Sequence, residues 1–94
     1  MYELEIKPEV DKIFRKLAKR DLHQLRIIHK KIKQMQENPE RDYKFLRSPL
    51  QNYNSVHIDS HFILIFKIDH DRKTVVIYYY AHHDYAYGWH PQKA

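Results

Sequence analysis

The sequence predicts an α+β fold in which a helical hairpin packs on an antiparallel sheet, with elements in the order β-α-α-β-β-β. Three observations predict it. A short N-terminal segment alternates apolar and acidic residues. Two amphipathic helical segments follow with almost no linker between them. The C-terminal half then holds three successive runs rich in β-branched and aromatic residues.

The elements follow in order. Tyr2, Leu4 and Ile6 alternate with Glu3 and Glu5, the period of a half-buried strand. Pro8 suits the first turn of a helix, and Glu9 and Asp11 suit its positive N-terminal end. Val10, Ile13, Phe14 and Leu17 recur at helical spacing, so a first helix is predicted over 8–19. Asp21 is a good N-cap, and Gln24 completes a capping box. Leu22, Leu25, Ile28, Ile32 and Met35 then line one face of a second helix, which Asn38-Pro39 ends. Residues 38–54 lack periodicity and read as a basic loop carrying Arg41, Lys44 and Arg47, with Pro49 and Asn52 as turn residues. Strands are predicted over 55–59, 61–68 and 74–81, with a turn at Asp69-His70-Asp71-Arg72.

Length and composition narrow the function classes. The chain has 94 residues, 43% of them hydrophobic, which suits one modest core and one domain over 1–94. It has no cysteine, which excludes a disulfide framework and a cysteine nucleophile or metal site and fits a reducing cytoplasm. The longest apolar run, Phe62 to Phe66, is strand-sized, and residues 1–5 lack the basic-then-apolar pattern of a signal peptide. A cytoplasmic protein with no membrane partner is expected. The formal charge of +5 lies wholly in residues 1–47, with 13 Lys/Arg against 8 Asp/Glu; residues 48–94 balance at 4 against 4. Such a basic half attracts phosphate backbones or an acidic protein. A solvated helix face explains the same charge equally well.

The informative stretch follows the last strand: Ala81-His82-His83-Asp84-Tyr85-Ala86-Tyr87-Gly88-Trp89. With unbroken alternation, Val75, Ile77, Tyr79, Ala81 and His83 face the helices. Val76, Tyr78, Tyr80 and His82 then face the open side, where His57 joins them from a neighbouring strand. Cleaving RNA without a metal needs a base, an acid and cationic stabilisation of the phosphate. Histidine serves the first two near neutral pH, Lys or Arg the third, and tyrosine stacks on bases. For Tyr78 to Tyr80 a plain strand role competes with a binding platform. His23, His29, His70 and His90 read as ordinary polar residues. A metal site drawn from His57, His61, His82, His83 and Asp84 is set aside. Neighbouring histidines on a strand diverge, and no H-x-x-x-H helix motif or cysteine pair supports such a site. No cofactor is expected, since the single glycine excludes a Gly-rich phosphate cradle.

The run His57-Ile58-Asp59-Ser60-His61-Phe62-Ile63-Leu64-Ile65-Phe66, the strand Val75 to Ala81, and the His82-His83-Asp84-Tyr85-Ala86-Tyr87 element together resemble the C-terminal half of the RelE/ParE toxin superfamily. The helical hairpin and the length fit the same family. The resemblance implies a type II toxin–antitoxin toxin, a ribosome-dependent mRNA endonuclease held in check by an antitoxin that wraps around it. His82, His83 and Tyr87 then stand where the family often keeps acid, base or stacking residues, with His57 beside them. One departure matters. Typical RelE members carry an arginine entering the third strand and further basic residues on the second; this chain has Phe62, Ile63 and His57 there. Either Arg47, Lys44 or Lys67 supplies the phosphate contact, or the chain resembles the histidine-based YafQ-like variants, or activity is weak; Tyr80 is expected on the RNA-facing side. The alternatives are a ParE-like gyrase inhibitor and a catalytically inactive binding module of the same fold.

Overall fold

Backbone pairing in a computed structural model, which describes residues 1–91, assembles four strands and two long helices. The strands are β1 (Glu3–Ile6), β2 (Asn54–Ile58), β3 (Phe62–Asp69) and β4 (Thr74–His82). The helices are α1 (Pro8–Arg20), α2 (Leu22–Glu37) and a single turn, α3 (His83–Ala86). The sheet order is β1-β4-β3-β2. The α+β class and the helical hairpin hold as predicted. The sheet is mixed rather than wholly antiparallel: β2–β3 and β3–β4 pair antiparallel, whereas β1 runs parallel to β4. The long connection from β1 to β4, through the helical hairpin, β2 and β3, allows that parallel pairing.

The local causes match the sequence. Pro8 opens α1, and the Asp21 side chain accepts the Gln24 amide at 3.1 Å to start α2. Val10, Phe14, Leu25, Ile28, Ile32 and Met35 from the hairpin are buried on one face of the sheet against Ile58, Leu64, Phe66, Val75, Ile77 and Tyr80. Each such side chain contributes roughly 1.5–3 kcal/mol of burial before entropy is charged against it.

The other sheet face is not open. Leu46 and Leu50 from the 43–53 loop and Ala86 from α3 cover Ile63 and Ile65, with Tyr53, Tyr78, Tyr79, Ala81 and Trp89 packed around them. The loop is held at the edge of β2 by a bridge between Phe45 and Asn54.

A bulge decides which side chains of β4 face which core. Ile65 pairs with Tyr79 but Phe66 pairs with Ile77, so Tyr78 is an extra residue in the ladder. Before it, Val75 and Ile77 face the helices; after it, Tyr80 does, and Tyr79 and Ala81 turn away. The unbroken alternation expected from the sequence therefore holds through Tyr78 and is corrected from Tyr79 onward. Among the described residues no helix is long and apolar enough to cross a membrane.

Candidate functional site

Antiparallel pairing of Phe62 with His82 sets the end of β4 beside the β2–β3 turn. That turn uses positive φ at Asp59 and Ser60 and ends on His61. The His83 amide donates to the His61 carbonyl at 2.9 Å, fixing the two segments together. At His82 the chain leaves the strand, and the His82 Nδ1 accepts the Asp84 amide at 3.2 Å, capping α3.

This strand-to-helix change corrects the sequence expectation for the histidine pair. Adjacent strand residues diverge, but His83 already belongs to a helical turn. The His82 and His83 rings therefore converge, with centroids 4.4 Å apart. The Asp84 carboxylate lies 3.0 Å from the His83 Nδ1 and 3.4 Å from the His82 Nδ1. The His61 ring lies parallel to that of His82 at 6.2 Å and 6.4 Å from that of His83. One ring nitrogen from each of the three histidines falls within 4.8 Å of the others. The side chains of His82 and His83 are 35% and 43% exposed, so both rings are open to solvent.

The remaining expected site residues are dispersed. Tyr87 closes α3 as its C-cap and is well exposed; the tyrosine ring beside His82 is that of Tyr85, at 6.3 Å, while Phe62 meets His82 edge-on at 5.5 Å. His57 lies on the edge strand β2 opposite Ile63, in a shallow depression shared with Lys31, Arg41 and Lys44. Arg47 is exposed on the 43–53 loop. Lys67 sits on the loop-covered face, its Nζ 4.3 Å above the Tyr53 ring. Tyr80 is corrected. It is 3% exposed and packs between Phe14 and Phe62, so it offers no surface to RNA. Burial, reinforced by the Asp21 and Asp59 carboxylates, pushes its phenol well above the usual tyrosine range.

One surface was not anticipated. A groove of about 890 Å³ runs between α1, β4, the loop and the C-terminal segment, lined by Lys7, Lys12, Lys16, Tyr78, Tyr79 and Trp89 among others. The Trp89 ring stacks on Tyr79 at 5.7 Å and meets Tyr53 edge-on at 5.3 Å. Lys7 lies 5.3 Å from the Tyr78 ring centre, and the Glu5 carboxylate 2.9 Å away raises its ammonium above the usual lysine range. Lys12 and Lys16 share one helix face at i, i+4, a sequence hint of a basic stripe; the aromatic floor depends on the tertiary fold.

No protein-family model matches the chain. A Methanocaldococcus jannaschii protein named "Putative toxin RelE4" is 47% identical over 87 residues, which span 93% of this chain and 92% of that protein. An uncharacterized protein of Methanosarcina mazei is 46% identical over 87 residues, 93% of this chain and all of that one. Among solved structures, a metal-bound toxin from Helicobacter pylori superposes with a TM-score of 0.76 at 18% identity, covering 92% of this chain and 99% of that chain. The toxin–antitoxin complex RelBE2 of Mycobacterium tuberculosis gives a TM-score of 0.67 at 25% identity, over 86% of this chain and 96% of that chain.

Proposed function

The chain belongs to the RelE-like toxin family, and from that premise we propose that it is the toxin of a type II toxin–antitoxin pair that cleaves mRNA on the ribosome by proton transfer between histidines. The observation that carries the reading is the convergence of His82 and His83 on either side of the Asp84 carboxylate at an exposed sheet end.

In this reading His83 is the base. The Asp84 oxygen 3.0 Å from its Nδ1 favours a proton on that nitrogen and leaves the Nε2 lone pair free. His83 takes the proton of a 2′-hydroxyl, whose oxygen then attacks the adjacent phosphorus. The bond to the 5′-oxygen breaks, His82 protonates that leaving oxygen, and a 2′,3′-cyclic phosphate remains. Arg47 and Lys44, both exposed, supply positive charge to phosphates further along a bound strand, whereas Lys67, which pairs with Val76 well along β3 from the histidines, does not reach the reacting phosphate; Tyr87 and Tyr85 are exposed rings on which bases can stack. The basic aromatic groove of Lys7, Lys12, Lys16 and Trp89 adds a second contact for single-stranded RNA. An acidic antitoxin is the expected partner, covering the basic half by charge complementarity; the solved RelBE2 neighbour is itself a toxin–antitoxin complex.

The test is cleavage of mRNA on programmed ribosomes. His82→Ala and His83→Ala are expected to slow it by about 10²–10⁴-fold with melting curves close to the parent's, and Tyr87→Phe is included to weigh its role. Parental rates in all three would sink the histidine assignment. A binding-only reading has one observation in its favour: Ile63 is fully buried and Phe62 half-buried, so the start of β3 presents no cation. Gyrase inhibition without RNA cleavage would establish it instead.

A further inference from the structure

The three imidazoles of His61, His82 and His83 form a cluster with a property that acid–base chemistry does not need. Two histidines suffice for an acid and a base, yet His61 presents a third ring nitrogen within 4.8 Å of the other two. We propose that His61, His82 and His83 bind one borderline divalent transition ion, with Zn²⁺ the best fit, and that an occupied site silences the toxin.

The donor set argues for the ion's class. Three neutral imidazoles and no thiolate favour Zn²⁺, Cu²⁺ or Ni²⁺ over the oxygen-seeking Ca²⁺ and Mg²⁺. Zinc bonds to nitrogen are roughly 2.0–2.1 Å, so tetrahedral ligand nitrogens stand about 3.3–3.5 Å apart. The rings must close by about an ångström and a half at most from the present spacing, which ring rotation at exposed or half-exposed positions supplies. The backbone frame is already set. The His83 amide bonds the His61 carbonyl at 2.9 Å, and Phe62 pairs with His82 in the ladder. The ion's positive charge is met by Asp84, whose carboxylate touches both His82 and His83. Three protein ligands leave a fourth position for water.

The silencing half rests on the function proposed above. A ring nitrogen bonded to a metal neither accepts nor releases a proton, so His82 and His83 lose the roles assigned to them. Metal supply then becomes a control on the free toxin that acts independently of the antitoxin.

The experiment uses the full chain, stripped of metal with a chelator and freed of its antitoxin. Calorimetric titration with Zn²⁺ is expected to give one ion per chain, and Co²⁺ in its place is expected to give the visible absorption of a tetrahedral nitrogen site. His61→Gln is expected to weaken Zn²⁺ binding at least tenfold, whereas His70→Gln leaves it unchanged. His61 is exposed and, among the described residues, bonds to neighbours through its backbone alone, so the substitution spares the fold. Equal affinity in parent and His61→Gln, or no saturable binding in the parent, overturns the site. In the second arm, programmed-ribosome cleavage is measured with and without Zn²⁺ for each variant. Inhibition of the parent at the binding midpoint, shifted to higher Zn²⁺ in His61→Gln, supports silencing; unchanged or faster cleavage overturns it. If Zn²⁺ binds as expected but the metal-free parent never cleaves, the nuclease reading and the silencing fall together while the site stands.

Discussion

Replacing Tyr80 by phenylalanine tests the step on which the geometry of the site depends, the bulge at Tyr78. With unbroken alternation Tyr80 would face outward and its hydroxyl would serve RNA. With the bulge it faces the helices, is 3% exposed, and its hydroxyl has no hydrogen-bond partner among the described residues. The ring itself is well placed, stacked on Phe62 at 5.4 Å and meeting Phe14 edge-on at 6.0 Å. Phenylalanine keeps those contacts and removes only the oxygen. A buried polar group without a partner costs about 1–3 kcal/mol, so Tyr80→Phe is expected to stabilise the protein by about 1 kcal/mol. For a domain of this size that is a rise in melting temperature of roughly 4–8 °C.

Urea denaturation gives the free energy, provided the slope is unchanged. The pH dependence adds a second reading. Burial raises the folded-state pKa of Tyr80 above its unfolded value near 10. The folded state therefore holds the proton longer, and its advantage is complete below about pH 10. Above that the unfolded chain ionises first, and parental stability falls as pH climbs toward the folded pKa. The stability gap between Tyr80→Phe and the parent is thus expected to widen above about pH 10. A loss of stability at neutral pH would mean that the hydroxyl is bonded in the native state and the packing argument is wrong. Unchanged stability with impaired cleavage would mean that Tyr80 reaches the substrate after all.

Three further outcomes are expected. Charge reversal at Lys12 and Lys16 should weaken RNA association and flatten its salt dependence, measured by binding titrations across ionic strength, while leaving the melting curve near the parent's. Trp89→Ala should weaken RNA binding by about 1–3 kcal/mol if bases stack in the groove, but its contacts with Tyr53 and Tyr79 predict a lower melting temperature too, so both are measured. Glu5, whose carboxyl is held below the usual range by Arg72 at 2.7 Å and by Lys7, contributes stability above its unfolded pKa and loses it as pH falls through the lower folded value. Glu5→Gln should therefore be less stable than the parent at neutral pH and equal to it in strong acid, in melts recorded at both.

Much of this molecule is legible in its residues, and the exceptions have physical reasons. The apolar spacing of Val10, Phe14, Ile28 and Ile32 and the Asp21 cap determine the hairpin almost to the residue, because a helix reports its buried face through local periodicity. The three C-terminal strands are equally plain. The bulge is not, since Tyr78 lies in an unbroken β-branched and aromatic run and nothing local marks it as the extra residue. Nor is the direction of β1, which depends on how the hairpin carries the chain back. Leu46 and Leu50 lie in a segment without period, so their burial of the second sheet face is a tertiary effect. The motif at 82–84 draws attention by composition. His61 joins it only through the register of β3 against β4.

That last point bears on how such a site is held. His61 and His83 are far apart along the chain, and only the antiparallel β3–β4 pairing sets them side by side. The backbones are held there by the β3–β4 pairing and by the His83 amide donating to the His61 carbonyl, a firmer frame than a loop gives. Here Phe62 anchors both: it pairs with His82 and stacks on Tyr80. The single turn α3 then converts two diverging strand neighbours into a converging pair, at the expense of only one short element. Among the described residues His61 is exposed and the His82 and His83 side chains are partly exposed, so this sheet end is open to solvent and by itself does little to orient a long flexible substrate. Orientation is worth several kcal/mol of barrier in a reaction of this type. On the proposed reading, an open acid–base pair of this kind suits a substrate that arrives already positioned, as mRNA does on a ribosome. On free RNA the same pair should be slow, and a ratio of ribosomal to free cleavage near unity would show that the chain orients its substrate by some surface other than this one.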